Sequence, residues 1–221
     1  MQEDGFIQSI HEAPHDEALR LIYADWLEER GDARGEFLRL ESHLRRTNAQ
    51  EPGYPDALAH WLELRDRVPA DWLDRLGWRV NGLLLPRALV DLLARGRWGS
   101  FPRRGSVSPW GDVEAYSQQS MQLETPNVCY GLKWLGKPDT ERPPGDVDPK
   151  LTVLIADLGV GSDEPFALDY RASFEQPRVL LYRWRADFDP TFPPGGVEGN
   201  RWVEVAPDFP AFHQQLRWGP A

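Results

Sequence analysis

Four carboxylates lie close together in the second half of the sequence and are the residues best suited to hold a metal ion. They are Asp157, Asp163, Glu164 and Asp169, and hard cations such as Ca²⁺ and Mg²⁺ prefer carboxylate oxygens. Their spacing differs from a calcium-binding loop, which needs ligands at alternate positions and a terminal glutamate. Surface acids are mostly solvated. The sequence therefore favours a solvated acidic surface, and a metal-dependent enzyme that uses the loop 157–169 is kept as an alternative.

The same region contains the glycine-rich segment GVGSDE at residues 159–164. A phosphate-binding loop would end in Gly-Lys-Ser/Thr and lead into a helix, whereas here two acids and Pro165 follow. Acidic side chains repel phosphate, so a nucleotide site is disfavoured. The segment is typical of a turn in which glycines adopt positive φ. It also suits a recognition loop, because binding residues concentrate on loops held by a rigid scaffold.

The remaining side chains with catalytic potential are isolated from one another. His11 and His15 have i, i+4 spacing, but Pro14 interrupts the helix that would bring them together. The single cysteine, Cys129, lies in a short apolar stretch, which indicates a buried and inert thiol. One cysteine allows no internal disulfide, and this fits a reducing cytoplasm. The sequence therefore predicts no catalytic residue, no cofactor and no metal site.

Ten tryptophans stand out in the composition. Trp26, Trp61 and Trp72 fall on apolar faces of predicted helices, so we expect them in the core. Trp98 and Trp110 lie in Gly/Ser/Pro-rich sequence, Trp98 close to several arginines. Aromatic residues and arginine are enriched at the centres of protein interfaces. These two tryptophans are either lids folded over the core or contacts for a partner.

The first part of the chain has the apolar period of helices. Apolar residues recur every three to four positions between Pro14 and Gly31, which predicts an amphipathic helix. Gly31 is placed to end this helix and Asp32 to cap the next one, so the two helices form an antiparallel pair. Further helices are predicted around residues 57–64 and 70–76.

From about residue 78 the pattern changes to loops and short apolar runs of strand length. In residues 165–170 apolar and other residues alternate, which predicts a half-buried strand. Asp208 is placed to cap a final helix. The predicted fold class is α+β, with a helical domain at 1–77 and an antiparallel-sheet domain with flanking helices at 78–221. The predicted strands are 151–158, 165–170, 178–185 and 202–205.

Length and charge exclude several classes of function. The chain has 221 residues, with 25 Lys and Arg against 35 Asp and Glu, a net charge of −10. This charge repels a phosphate backbone, so nucleic acid is a poor partner. No apolar run approaches the ~18 residues of a membrane span. The N-terminus carries acids where a secretory signal would carry bases, so we expect a cytoplasmic protein without membrane attachment.

Two segments resemble known families. Residues 6–41, with the signature LIYADWLEERGDARGEFLRL, closely resemble the bacterial repeat-companion N-terminal domain. That resemblance implies an adaptor or accessory element without an established activity.

The C-terminal part is similar to the SUKH superfamily, whose founding members are yeast cell-wall assembly regulators of the Smi/Knr type. The resemblance lies in LTVLIADLGVGSDEPFALDYR (151–171), PRVLLYRW (177–184) and WVEVAPDFPAFHQQL (202–216). The W-x-x-x-A-x-x-F element of the family corresponds here to Trp202, Ala206 and Phe209. The resemblance implies a non-enzymatic α+β binding scaffold, many bacterial examples of which are immunity proteins that neutralise a toxin by covering it.

The function that we expect is therefore non-catalytic protein binding, by an immunity-type or regulatory protein that occludes its partner. Its acidic charge would speed association with a basic partner, for instance a nuclease toxin. The alternatives are the metal-dependent enzyme above and an architectural adaptor that acts through the helical domain. The candidate partner-binding residues are Trp98, Trp110, Asp163, Glu164, Asp169 and Arg171.

Overall fold

The computed structural model describes residues 2–95, 104–107, 120–128, 147–158, 165–183 and 201–218. By its internal contacts the chain divides into two compact units. Unit 1 comprises Met1–Val90 and Arg171–Glu175, and unit 2 comprises Asp91–Tyr170 and Gln176–Ala221. Within the described ranges helices come first and antiparallel strands follow, so the predicted α+β class is confirmed. The domain boundary at residue 77 stays a prediction, and the contact division itself falls at residue 90.

Five helices and the first turn of a sixth build unit 1. Asp16 caps the second helix by accepting a hydrogen bond from the Leu19 amide at 3.2 Å, as its acceptor side chain predicts. Gly31 follows that helix with a φ of +69°, a left-handed conformation that favours glycine. The helices are α1 (Glu3–Glu12), α2 (Glu17–Glu28), α3 (Arg34–Arg46), α4 (Tyr54–Arg65), α5 (Ala70–Leu76) and α6 (Arg87–Ala94).

The core of unit 1 is aromatic. The Phe37 and Trp61 rings stack at 5.3 Å between centroids, and Trp72 donates its indole N–H to the Tyr23 hydroxyl at 3.0 Å. Phe174 packs edge-on against Trp61 at 4.9 Å. This contact explains why residues 171–175, which follow a strand of unit 2 in sequence, belong to unit 1.

A short hairpin follows α5, formed by β1 (Arg79–Val80) and β2 (Leu83–Leu84). Asn81 and Gly82 connect the strands with φ values of 53° and 77°. Two consecutive positive φ values are what a two-residue hairpin with a right-handed twist requires, and Asn-Gly is the favoured pair. The hairpin thus holds Arg79 at a fixed position beside the helices.

Unit 2 contains a seven-stranded sheet in which every pair of neighbours is antiparallel. The spatial order is β8-β7-β6-β5-β4-β3-β9, so six strands follow one another as a meander. The final helix α7 (Phe209–Gln215) begins after Asp208, which accepts from the Ala211 amide at 2.7 Å as predicted. The strands are β3 (Arg104–Val107), β4 (Ser120–Val128), β5 (Thr152–Leu158), β6 (Pro165–Asp169), β7 (Arg178–Arg183), β8 (Arg201–Ala206) and β9 (Leu216–Trp218).

β6 corrects one prediction. All five of its residues are buried, whereas the alternating sequence pattern predicted a half-buried strand. Successive side chains of a strand point to opposite faces, so complete burial means that both faces of the sheet are covered at this strand. Phe166 meets Phe212 of α7 at 5.2 Å on one of these faces.

None of the helices that the structure describes is long and apolar enough to span a membrane.

Candidate functional site

The signature at residues 21–40 divides into side chains that build unit 1 and side chains that point outward. Tyr23, Ala24, Leu27 and Phe37 are all fully buried. Gly35 belongs to the same inward set, because a Cβ at this position would lie 2.7 Å from the carbonyl oxygen of Ala24. Glycine therefore lets α3 approach α2 closely, and much of the signature is explained by packing.

The turn between these helices is fixed by charge. Asp32 accepts from the backbone amide of Arg34 at 3.0 Å and from its guanidinium at 2.6 Å. Hydrogen bonding by Arg34 lowers the pKa of the Asp32 carboxyl. Arg34 also reaches Glu3 at 2.7 Å, so one guanidinium joins α1 to the α2–α3 turn.

A buried ion cluster lies where α2, α3 and the hairpin meet. Glu41 is 1% exposed and accepts two hydrogen bonds from Arg79, at 2.5 and 2.8 Å. Arg20 lies beside it, with 3.9 Å between its Nε and a Glu41 oxygen, and donates to the carbonyl of Pro14. Burial alone would raise the pKa of Glu41, but the fields of Arg79, Arg20 and Arg45 lower it. Glu41 is therefore a charged structural anchor that no substrate can reach.

His15 borders this cluster, with its Nδ1 3.3 Å from Arg45. Burial, and then the positive fields of Arg45, Arg20 and Arg87, lower the pKa of His15 to about 3, against a small opposing effect of Glu41. The imidazole is therefore neutral at physiological pH. It helps to fill the space around the arginines and adds no further positive charge there.

The outward side of α2 carries an apolar stripe. Ile22 is 54% exposed and is the single exposed large hydrophobic residue among the side chains that the structure describes. Trp26, one turn further along, is half-buried, so its predicted place in the core is wrong. Arg30 follows in the next turn, with its guanidinium 3.9 Å from the Trp26 ring centre. We call Ile22, Trp26 and Arg30 the outer stripe.

Acidic side chains border the outer stripe. Asp25 and Glu29 are 57% and 75% exposed, and Glu28 is 38% exposed. Arg39 from α3 pairs with Asp25 and with Glu28, at 2.7 Å for the latter. The only arginine within α2 itself is the buried Arg20. The outward side of this helix therefore combines the apolar stripe with three exposed carboxylates, two of which are paired with Arg39.

Because several arginines are buried, the accessible side chains of unit 1 carry more net negative charge than its composition indicates. Unit 1 has 18 acidic residues and 12 arginines, a net charge of −6. Four arginine side chains are at most 8% exposed, whereas Glu41 is the only buried acid of the unit within the described residues. A partner would thus meet 17 carboxylates and eight guanidinium groups. The buried four are Arg20, Arg45, Arg65 and Arg79.

An open groove of about 640 Å³ lies in unit 1, between the start of α3 and the end of α4. Leu64, Val68 and Pro69 are among its lining residues. His60 and Glu36 meet at its edge with 2.8 Å between nitrogen and oxygen. The groove therefore combines an apolar lining with polar groups that already pair with each other.

Two of the six predicted contact residues lie in the described part of the chain. Asp169 is fully buried and pairs with Arg178 at 2.8 Å, which places its carboxylate inside unit 2 and away from the surface. Arg178 also reaches Glu204 at 3.2 Å, so it joins three neighbouring strands. Arg171 is half-buried directly after Tyr170. The other four lie outside the described residues, namely Trp98, Trp110, Asp163 and Glu164.

The acidic segment considered for a metal lies only partly within the described residues. Asp157 pairs in register with Pro165 across β5 and β6, while Asp169 is engaged by Arg178. Among the described residues no three or more His, Cys, Asp or Glu side chains come together as metal ligands.

Sequence reasoning missed the outer stripe, although a signal for it was present. Ile22 and Trp26 have i, i+4 spacing, which places them on one side of a helix, and Arg30 follows two residues after α2 ends. Tyr23 and Leu27 define the neighbouring inward side and are both fully buried. The apolar arc of α2 is thus wider than one buried face needs, and the excess is what the structure exposes.

Comparisons with protein-family models, with curated proteins and with solved structures find no match for this chain.

Proposed function

We propose that this chain is a non-catalytic protein-binding module whose partner presents a basic surface. The observation that carries this proposal is the accessible charge of unit 1, with 17 carboxylates against eight guanidinium groups. Opposite charge steers diffusional encounter and suppresses association with like-charged proteins. A basic protein is therefore the partner that this surface selects.

The resemblance of residues 151–171, 177–184 and 202–216 to SUKH proteins supports a more specific form of the proposal. In that form the chain is an immunity-type or regulatory protein that covers a basic toxin domain and so occludes its active surface. The α+β fold and the antiparallel sheet of unit 2 agree with such a scaffold. The helical unit then contributes contacts of its own, which also suits the adaptor role suggested by the repeat-companion signature.

The test uses the full chain and the purified protein products of genes that adjoin its own gene. We expect one basic product to bind, and we expect its Kd, measured by titration calorimetry, to rise as the salt concentration rises from ~0.05 to ~0.5 M. No association with any basic product, or an affinity independent of salt, would contradict the proposal.

Charge-swap variants supply the matched control. Glu12 and Glu29 are exposed, so the E12K/E29K variant reduces the negative charge and is expected to weaken binding. Arg67 is 71% exposed, so R67E increases the negative charge and is expected to preserve or strengthen binding. Opposite effects of the two variants would show that the sign of the surface charge matters, because both variants alter only exposed side chains.

A further inference from the structure

The outer stripe lies in an acidic surface. It also has the features of a specific contact point for a partner. We infer that Ile22, Trp26 and Arg30 receive a basic amphipathic segment of the partner, with its apolar side chains on the stripe and its Lys or Arg side chains on Asp25 and Glu29. This inference rests on the proposed function and names the surface that performs it.

The stripe is exposed although it lies on a helix that is otherwise well packed. Ile22 is 54% exposed, whereas Tyr23 and Ala24 next to it are fully buried. Residues four apart on a helix lie one above the other, about 6 Å along the axis. Ile22 and Trp26 therefore form one continuous apolar strip, which a partner side chain of the size of leucine can cover.

Trp26 is held in place before any partner arrives. Its ring lies 5.5 Å from Phe6 and 6.0 Å from Tyr23 between centroids, and the Arg30 guanidinium lies 3.9 Å from its centre. Arg30 is itself fixed by donating to the carbonyl of Trp26 at 2.7 Å. Groups that are ordered in the free protein lose little entropy on binding. Tryptophan and arginine are also the residues most enriched at the energetic centres of interfaces.

The charges beside the stripe decide the chemistry of its occupant. Asp25 and Glu29 lie three and seven positions after Ile22, on the same side of the helix, and both are more than half exposed. Arg39 of α3 pairs with Asp25. Glu29 makes only a long contact with Arg30, at 3.8 Å. Three exposed carboxylates against Arg30 and Arg39 leave the border of the stripe with an excess of negative charge, so a basic segment gains ion pairs next to its apolar contacts.

A second copy of this chain is a poorer occupant than a basic partner. In a two-fold dimer the same patch faces itself, so the border of one copy, with three carboxylates against Arg30 and Arg39, would face an identical border with the same excess of negative charge. Like charges facing each other across an interface cost free energy. The acidic border of the stripe therefore disfavours self-association and favours a partner of opposite charge.

The experiment uses the full chain and a synthetic 14-residue helical peptide of leucine and lysine, with leucines on one face. Binding is measured by titration calorimetry for wild type, I22D and A59D. Ala59 is exposed on α4, so A59D adds the same negative charge to a different helix. We expect I22D to weaken binding about tenfold or more, the loss of one well-covered apolar anchor, and A59D to bind as wild type or more tightly.

The sign of the I22D effect separates this inference from the proposed function. If charge alone attracts the peptide, the added carboxylate strengthens binding, which overturns the stripe as contact point and leaves the proposed function standing. Failure of wild type to bind the peptide also overturns the inference, while binding to a gene-neighbour product still decides the proposed function separately.

Two further measurements test the alternatives, in which the chain itself or a second copy covers the stripe. Because Ile22 is exposed, I22D should shift the melting temperature by less than about 3 °C, as expected for a surface substitution in a chain of this size. A larger decrease than in A59D would mean that the chain itself covers Ile22, and the inference would fail. A wild-type dimer in sedimentation that I22D dissociates would assign the stripe to a second copy and would equally overturn it.

Discussion

Each unit of this chain buries one carboxylate in its described part, and the two units compensate that charge differently. In unit 1 Glu41 is 1% exposed and lies among arginine side chains that are themselves buried, Arg79 from the hairpin and Arg20 from α2. In unit 2 Asp169 is fully buried, but its partner Arg178 is 34% exposed and shared with Glu204.

The difference lies in what each ion pair joins. Glu41 joins elements that are distant in sequence, since 38 positions separate it from Arg79. Asp169 and Arg178 are register partners on adjacent strands, which the ladder of hydrogen bonds already holds together. Water also reaches Arg178 and supplies part of the compensation. The unit 1 cluster thus links elements that are distant along the chain, whereas the unit 2 pair adds to contacts that the strand ladder already makes.

The largest effect is expected from E41Q. It removes the anion and leaves two buried arginines without a counter-charge, which typically costs about 3–5 kcal/mol. Urea unfolding of the full chain at pH 7 measures the loss in free energy of unfolding. The control is E36Q on the same helix, since Glu36 is 54% exposed and its loss should cost under about 1 kcal/mol. Equal losses in the two variants would refute the structural role of Glu41.

G35A tests whether the close approach of α3 to α2 contributes to the stability of unit 1 independently of charge. The new Cβ would lie 2.7 Å from the backbone oxygen of Ala24, which cannot move without shifting α2. We expect a loss of about 1–3 kcal/mol from this overpacking. At Gly53 a Cβ would have no atom within 4 Å, and φ is −83°. G53A should therefore leave the melting temperature unchanged or raise it slightly, and a G35A protein as stable as G53A would contradict the close approach.

D169N is expected to have a smaller effect than E41Q. The amide oxygen can still accept from Arg178, and Arg178 keeps Glu204 at 3.2 Å. The expected loss is about 1–2 kcal/mol, in the range for weakening a buried hydrogen bond to a charged group. E204Q is the control, because Glu204 is 49% exposed. The comparison between the units fails if D169N destabilises the chain as much as E41Q.

The smallest expected effect is on the pH dependence of the free energy of unfolding, and it again differs between the units. Burial and neighbouring arginines lower the pKa of His15 to about 3, so below pH 6.5 the unfolded chain takes up a proton that the folded chain does not. The contribution of His15 to the free energy of unfolding is therefore fully present well above pH 6.5 and declines as pH falls. The expected loss at pH 5 is about 1 kcal/mol after allowance for partial solvent access. Glu41 adds a loss of the same sign only at lower pH, because its folded pKa is lowered below its unfolded value.

Histidine variants assign this pH dependence. H15N should reduce the change in unfolding free energy between pH 7 and pH 5. H213N in unit 2 should reduce it less, since burial is the cause that lowers the pKa of His213, whereas arginine fields add to burial at His15. If the pH dependence survives H15N unchanged, His15 does not experience the field of the arginine cluster.

Much of the architecture could be predicted because it depends on local patterns. The helical period of α2 and α3, the stop at Gly31, the short apolar strands and the cap at Asp208 all derive from neighbours in sequence. The burial of β6 on both faces could not be predicted in this way. Whether a sheet is covered on one face or two depends on residues far along the chain, such as Phe212.

The candidate site shows the same division. The sequence by itself determined the acidic charge, the amphipathic helices and the α+β order, since each follows from composition or from spacing along a few turns. Only the tertiary structure decided that Arg20, Arg45, Arg65 and Arg79 are buried while Ile22 is exposed. The physical reason is that the burial of a charge depends on whether an opposite charge or a hydrogen-bond acceptor is brought to it by folding. For Arg20 and Arg79 the partner is Glu41 on another element, and for Arg45 it is Glu175 in residues 171–175, at distances along the chain that no local pattern encodes. Arg65 instead pairs with its neighbour Asp66.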